Sequence, residues 1–429
     1  MTFNGLGINA ELVKALASRN IKEPSEIQRL VIPALLDTDL PGSAENSTAS
    51  LDSPHLLFGS PTGTGKTLAY LLPLIQKTAA ATQGAAATED SAAAGGSAGS
   101  RPSWPKILVL APTYELASQI KSEFDTVLAA AYGDSAPRAV LLIGSSPMNR
   151  QIDSLKKHKP LAVVGNPARV SQLARMKKLS FRALCYLVLD EGDRLMADEL
   201  FPETAELCRP AFPADGKGRG ERRIIACSAT FSEKNRERLF SLSPDTRWKI
   251  IAQEENDILR KNIEHWAFFA EEREKLPLLC SFVAAIRPAK ALVFTSRAGQ
   301  VGRIVSRLQY RHLAAAGLWG DMDKKDRKAA IDGFRKGNIR ILVSSDLAAR
   351  GLDIDRISHI IALDIPDGEE TYIHRAGRTA RAGKRGVMAS FGGEVELRRL
   401  AKIEKKLGIA VFPKELYGGR LRVPGGDDQ

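Results

Sequence analysis

The stretch Ser60-Pro61-Thr62-Gly63-Thr64-Gly65-Lys66-Thr67 follows the apolar run Leu56-Leu57-Phe58 and leads into the helical pattern Leu68-Ala69-Tyr70-Leu71-Leu72. A strand that passes through a glycine turn into a helix N-terminus makes a cradle for phosphate. Backbone N–H groups at the helix start point at the anion, and the helix dipole favours its charge. Gly63 and Gly65 permit close approach because no Cβ intervenes, Lys66 adds a charge, and the Thr67 hydroxyl is offered to Mg²⁺. The stretch predicts a nucleoside triphosphate site. Ser60 stands where the strict pattern has glycine, a place that some nucleotide-binding families give to another small residue.

Three further stretches belong with it. Asp190-Glu191-Gly192-Asp193 directly follows the apolar run Tyr186-Leu187-Val188-Leu189. A carboxylate at such a strand end, facing a phosphate loop, can hold the hydration shell of Mg²⁺, and its neighbour can orient or deprotonate the attacking water. Asp190 is therefore assigned the metal, with Thr67, and Glu191 the water. Ser228-Ala229-Thr230 closes the next strand, where its hydroxyls can bond Asp193. Upstream lies Pro24-Ser25-Glu26-Ile27-Gln28. A glutamine amide both donates and accepts, which matches the N6 and N7 edge of adenine.

These motifs sit in an α/β pattern. The apolar runs Ile107 to Leu110, Ala139 to Ile143, Leu161 to Val164, Tyr186 to Leu189 and Arg223 to Cys227 alternate with helical stretches. Near-continuous apolar strands separated by helices mean a parallel sheet covered on both faces, with ligands gathering at the strand carboxyl ends. A second series follows at His265 to Phe269, Ala291 to Phe294, Ile339 to Val343, Ile357 to Leu363 and Val387 to Phe391. With 429 residues the chain exceeds one ordinary core, so two domains are expected: residues 1–253, a polar linker at 254–262, and 263–429. Residues 37–54 read as a surface insertion, and residues 79–103 as a low-complexity loop, with an Ala-rich helix extension to about residue 88 as the alternative.

Composition narrows the class. Apolar content of 44% and charged content of 26% are those of a globular chain. No stretch reaches the ~20 apolar residues of a membrane span, so no membrane partner is expected. A net charge of +12 favours a polyanionic partner. Cys185, Cys208, Cys227 and Cys280 lack the spacing of metal ligands and read as thiols of a reducing, intracellular compartment. Met1 stands two residues before Phe3, and no signal or transit peptide is visible.

The second series has no phosphate loop. It carries Ser345-Asp346 through Arg350-Gly351-Leu352-Asp353, then His374-Arg375-Ala376-Gly377-Arg378-Thr379-Ala380-Arg381. Arginines three apart can lie along one helical face and stabilise a transferring phosphoryl group as an arginine finger supplied by this domain. A site shared in this way implies closure with ATP and release on hydrolysis.

Taken in order, these residues resemble the DEAD-box RNA helicases of helicase superfamily 2, with a DEGD form of motif II, over about residues 3 to 392. The resemblance makes Phe3 and Pro24 to Gln28 the adenine-reading motif, Ser60 to Thr67 motif I, Asp190 to Asp193 motif II and Ser228 to Thr230 motif III. Val293 to Thr295 become motif IV, Ser345 to Asp353 motif V and His374 to Arg381 motif VI. It implies two tandem RecA-like domains and the cofactors ATP and Mg²⁺. Lys66, Asp190, Glu191, Arg378 and Arg381 would be catalytic; Ile21, Gln28, Thr62, Gly63, Thr64, Gly65, Lys66, Thr67, Gly351 and Asp353 would bind nucleotide. Asp193, Ser228, Thr230 and His374 would couple the domains. RNA, as a single strand or short duplex, would be gripped by its backbone through Pro112, Thr113, Glu115, Gly144, Pro167, Arg169, Gly320 and Ser345. The implied activity is ATP-driven local duplex unwinding or remodelling by a monomer, activated by a protein partner or within a pre-ribosomal particle. Nucleolar, cytoplasmic and organellar sites are not distinguished.

Departures from the family pattern concentrate in the RNA grip. Tyr114 stands where arginine is usual, Ser145 replaces the second glycine of a doublet, and motif Ib reads Asn166-Pro167-Ala168-Arg169. Ile21 takes the place of an aromatic that stacks on adenine, and Trp319 that of a histidine. Gly192 keeps its slot small with a looser backbone. They motivate a specialised RNA target, such as one structured RNA in ribosome assembly. An ATP-gated RNA clamp or assembly scaffold with weak unwinding is the alternative, and a DNA-directed motor of the same superfamily is a third reading.

Overall fold

A computed structural model describes residues 1–36, 55–59, 64–89, 104–211, 222–244, 246–252, 256–320, 322–349, 357–380 and 385–424. They fall into two compact units, one reaching Gln253 and the other starting at Glu254. The first unit is built on β1 (His55–Gly59), β2 (Ile107–Leu110), β3 (Ala139–Leu142), β4 (Ala162–Gly165), β5 (Tyr186–Asp190), β6 (Arg223–Ser228) and β7 (Trp248–Ala252). They form one sheet in the order β3-β4-β2-β5-β6-β1-β7, every neighbour parallel.

Both faces of that sheet are covered, which explains the unbroken apolar runs. Leu56, Phe58, Val109, Val188 and Ile225 enter one core, while Leu57, Leu108, Leu187, Leu189 and Ala226 enter another on the opposite face. Successive strand residues point to opposite sides, so only a strand apolar at every position fills both layers. Each large side chain so buried contributes about 1.5–3 kcal/mol.

The second unit repeats the plan. Its strands are β8 (Ile263–Phe269), β9 (Ala291–Thr295), β10 (Ala315–Leu318), β11 (Ile341–Ser345), β12 (His359–Ala362), β13 (Gly386–Gly392) and β14 (Val411–Pro413). The order β10-β11-β9-β12-β13-β8-β14 is again parallel and, counted from each unit's own first strand, is the order of the first sheet. A small antiparallel hairpin, β15 (Glu415–Tyr417) and β16 (Arg420–Arg422), follows. The α/β expectation of two tandem domains with parallel sheets holds.

Several expectations are corrected. The helix opening at Lys66 runs to Glu89, so residues 79–89 are not loop but follow the alternative reading of an Ala-rich helix extension. Alanine is the strongest helix former, and Gly84 costs only about 1 kcal/mol in such a run. Residues 37–54 and 90–103, the remainder of the two insertions, lie outside the described residues. The stretch expected as linker contains the helix Asn256–Asn262, whose Leu259 is buried in the second core and whose Arg260 guanidinium donates to the Leu407 carbonyl oxygen at 3.0 and 3.2 Å. β7, β10, β14 and the hairpin strands β15 and β16 were not foreseen. β10 reads Ala-Ala-Gly-Leu, without the β-branched residues that mark a strand, and β7 is an edge.

One buried pair ties the second core together. His265 Nε2 lies 3.0 Å from the Leu259 carbonyl oxygen, which can only accept, so Nε2 carries the proton and Nδ1 accepts from the Tyr372 hydroxyl at 2.8 Å. Burial holds the imidazole pKa below its ordinary value. A depressed folded pKa means that the neutral ring's stability is complete above the unfolded pKa of about 6.5 and is lost as pH falls through the folded value. A His265→Phe chain should therefore lose less stability than the wild type between about pH 7.5 and about pH 5.5 in denaturant titrations. Equal losses would show that His265 does not carry the acid sensitivity.

Candidate active site

The site begins with strand register. Gly59 of β1 is paired with Ser228 of β6, and Cys227 of β6 with Asp190 of β5. The carboxyl ends of β5, β6 and β1 therefore finish side by side, and the chain leaving β1 emerges beside Asp190 and Ser228. Thr62 and Gly63 of the loop lie outside the described residues. Thr64 and Gly65 lead directly into the helix Lys66–Glu89, with Lys66 its first residue and Thr67 its second. Gly65 has φ +90°, and a Cβ there would sit 2.4 Å from Gln28 Nε2. Only glycine fits.

Gln28 is buried within the helix Glu26–Leu36. Its Nε2 donates to the Gly65 carbonyl oxygen at 3.1 Å, and its Oε1 accepts from the Ser25 backbone N–H at 2.9 Å. The amide that the sequence assigns to an adenine edge braces the turn at Gly65. Ile21 is half-buried against the first core.

Asp190 is 3% exposed and held at both oxygens. Oδ1 accepts from the Glu191 backbone N–H at 2.9 Å and from the Cys227 thiol at 3.3 Å; Oδ2 accepts from the Tyr70 hydroxyl at 2.8 Å. Burial, followed by the Asp190 charge, pushes the Tyr70 phenol and the Cys227 thiol well above their ordinary pKa values, so both stay protonated and donate. Neither Tyr70 nor Cys227 was singled out from sequence, because a tyrosine in an apolar helical run and a cysteine in a strand read as core. The available signal was spacing: Tyr70 lies three residues past Thr67, on the same helical face.

Backbone strain marks the next residue. Glu191 adopts φ +50° and ψ +52°, the left-handed region that non-glycine residues enter at a cost of about 1–3 kcal/mol. The turn lifts the chain off β5 and starts the short helix Gly192–Leu195. A Cβ on Gly192 would meet the Phe231 ring at 2.9 Å, so the third letter of DEGD is matched to a close aromatic neighbour. Asp193 is buried; its carboxylate accepts from the Ser228 hydroxyl and its carbonyl oxygen from Asn235 Nδ2 at 3.1 Å. Burial raises its pKa, against the opposing Ser228 hydrogen bond and the Lys66 charge. The Ser228 hydroxyl also accepts from the Thr230 backbone N–H at 3.3 Å. The expected bond between Ser228 and Asp193 is present.

Around the outer strands, Thr113 caps the helix Tyr114–Tyr132 by accepting from the Leu116 N–H at 3.3 Å, with Pro112 just before it, Glu115 in the first turn and Tyr114 exposed. Asn166 caps the helix Pro167–Arg175. Arg169 turns back from it to donate to the carbonyl oxygens of Gly144 at 3.0 Å and Ser146 at 3.3 Å. Gln151, unnoticed in the sequence, is buried beneath the same turn and bonds the Ile143 N–H and the Ile143 and Ser146 carbonyl oxygens at 2.8–3.1 Å. The structure brings Arg169 onto Gly144, two residues after Pro167 opens the same helix.

In the second unit the arginine pattern needs correction. The helix Glu369–Ala376 ends before Arg378, so Arg375 and Arg378 do not lie on one helical face. Arg375 is 2% exposed and engaged: its guanidinium makes two bonds of 2.6 Å to the Asp346 carboxylate and one of 2.6 Å to the Asp364 carbonyl oxygen, and lies over the Phe294 ring. It anchors this end of the sheet. His374 and Arg378 are also largely buried, Ser345 ends β11, and Gly320 lies exposed just past β10. Gly351, Asp353 and Arg381 lie outside the described residues. β8 holds the place of β1, yet the helix after it, Glu272–Ile286, opens on Glu271, Glu272 and Glu274 with no glycine turn. Carboxylates there occupy the positive end of the dipole and repel phosphate.

Known proteins agree with this arrangement. Residues 25–239 match the DEAD/DEAH box helicase family model, and residues 274–383 match the helicase conserved C-terminal domain. The DEAD-box ATP-dependent RNA helicase CshC of Bacillus cereus is 31% identical over 95% of this chain and 92% of its own length. The chain belongs to the DEAD-box helicase family. A probable ATP-dependent RNA helicase of Bacillus subtilis, YfmL, is likewise 31% identical to this helicase over 87% of the chain and 89% of its own length. The Saccharomyces cerevisiae protein Dbp5, solved bound to RNA and ADP BeF3, shares the fold with a TM-score of 0.74 at 24% identity, covering 96% of this chain and 95% of that one.

The residues present suit Mg²⁺ and ATP. A carboxylate and a hydroxyl are hard oxygen donors, and Mg²⁺ is ordinarily held by one or two protein oxygens together with substrate phosphates and water. Gly65→Ala in this helicase should weaken nucleotide binding at least tenfold, since the added methyl displaces Gln28 and strains φ. Fluorescent-nucleotide titration checks this, and near-normal affinity would refute the close fit.

Proposed function

We propose that this helicase binds ATP with Mg²⁺ at the end of β1, grips RNA by its backbone, and couples hydrolysis to local unwinding or remodelling of RNA. The observation that carries the reading is Asp190, a buried carboxylate fixed at both oxygens beside the helix that starts at Lys66. Bound Mg²⁺ would neutralise charge on the phosphates. Lys66 and the loop N–H groups bind and orient the triphosphate. Thr67 and Asp190 hold the cation's place. Glu191, lifted by its left-handed turn, takes the role of orienting the attacking water or accepting its proton. Arg378, with Arg381, is the proposed stabiliser of phosphoryl charge from the second unit, Gly351 and Asp353 its nucleotide contacts, and His374 with Ser228, Thr230 and Asp193 the coupling set. RNA contacts fall to Pro112, Thr113, Glu115, Gly144, Pro167, Arg169, Gly320 and Ser345.

Lys66→Ala and Glu191→Gln test the reading directly. RNA should stimulate ATP turnover in the wild-type chain, and each variant should lower kcat by roughly 10²- to 10³-fold, with Glu191→Gln still binding ATP. Turnover that survives Glu191→Gln would remove Glu191 from the chemistry.

An ATP-gated RNA clamp with weak unwinding is the second reading. It is favoured by Arg169, whose guanidinium donates to the Gly144 and Ser146 carbonyls, and by the uncharged Tyr114 at the mouth of its helix. Under this reading a non-hydrolysable ATP analogue produces RNA complexes that persist, while strand separation on a short duplex stays slow. Rapid separation by the wild-type chain would decide for the helicase.

A further inference from the structure

Gln151 stands on the helix Met148–His158 and is 4% exposed, a rare place for a primary amide. The whole amide is spent on the turn at residues 143–146. Its Oε1 accepts from the Ile143 N–H at 3.1 Å, and its Nε2 donates to the carbonyl oxygens of Ile143 at 2.9 Å and Ser146 at 2.8 Å. The chain has just left the edge strand β3, so one side-chain amide does for Ile143 what β4 does for β3. Arg169 reaches the same turn from the helix Pro167–Arg175 and donates to the carbonyl oxygens of Gly144 at 3.0 Å and Ser146 at 3.3 Å. The Ser146 oxygen thus takes two donors, and a carbonyl has a lone pair for each. Gln151 settles where that oxygen points, and the oxygen settles where the guanidinium lies.

Arg169 is held by carbonyl dipoles and not by a countercharge, for no carboxylate of the described residues pairs with it. Its full charge, and the N–H donors that the carbonyls leave over, remain for an anion. The turn is also open, since a Cβ on Gly144 would meet nothing within 4 Å. We propose that Gln151 is a positioning residue for RNA: it fixes the turn against which Arg169 is aligned, so that the guanidinium meets one backbone phosphate. The proposal rests on the reading of Gly144 and Arg169 as RNA contacts. Gln151 is buried beneath them and acts only through the turn.

The test measures the affinity of the full chain for a fluorescent RNA single strand, with an ATP analogue present, across a salt series. Wild type, Gln151→Met, Arg169→Ala and the double variant are compared. Methionine keeps the length of glutamine and removes its hydrogen bonds. Gln151→Met should weaken RNA binding about tenfold and make the fall of log affinity with log salt shallower by about 0.7, the share of one phosphate on a single strand. Arg169→Ala should do the same, and in that background Gln151→Met should cost no more than about a further twofold. Nucleotide affinity of Gln151→Met without RNA should stay within about twofold of wild type. Gln151→Asn, one methylene too short to span Ile143 and Ser146, keeps a buried polar group and carries the same cycle if Gln151→Met fails to fold. Equal losses in both backgrounds, or a loss with an unchanged salt slope, would make Gln151 a packing residue and overturn the proposal, as would unchanged RNA affinity. If Arg169→Ala itself leaves affinity and slope at wild-type values, the reading of Arg169 as an RNA contact falls and the proposal with it.

Discussion

The first unit depends on one buried negative charge. Asp190 sits at the end of β5, 3% exposed. Burying a carboxylate is costly unless hydrogen bonds replace water. Tyr70, Cys227 and the Glu191 N–H supply those bonds, and each comes from a different element: the helix after β1, the neighbouring strand β6 and the turn after β5. The charge can be kept only if all three elements arrive in register. Parallel pairing of β5, β6 and β1 provides that register, and the two apolar cores provide the energy that maintains it.

A second consequence is mechanical. Gly65, Gln28 and Ser25 form a short chain of contacts from the loop to the helix Glu26–Leu36, while Asp193, Ser228 and Asn235 form another on the far side of Asp190. Both involve buried polar groups that lose a partner if their neighbour shifts, at about 1–3 kcal/mol each. A shift of Gly65 is therefore felt at Gln28, and a shift of Asp193 at Ser228.

Much of this was legible in the sequence. Apolar runs identify β1 to β6, because burial on both faces demands continuous hydrophobicity, and a glycine loop follows β1 and carboxylates follow β5. Asp190, Glu191, Lys66 and Thr67 follow from motif order and strand position alone. What stayed hidden depends on contacts distant in sequence. Tyr70 and Cys227 acquire their role only when β6 and the first helix meet at Asp190. Gln151 reads as an ordinary polar residue until the turn it supports is seen. The face of three arginines failed because Gly377 ends its helix, so the spacing no longer describes a surface, and Arg375 became a buried anchor. β10 was missed because Ala-Ala-Gly-Leu owes its strand form to its neighbour β11 rather than to its own propensity.

The repeated strand order is not matched by repeated charge. Two sheets of the same wiring present two corresponding strand ends, but glutamates open the helix after β8 where a glycine turn and Lys66 open the one after β1. Duplicated architecture thus carries a glycine turn and a lysine at one strand end and carboxylates at the corresponding end of its copy, where the charge opposes a phosphate.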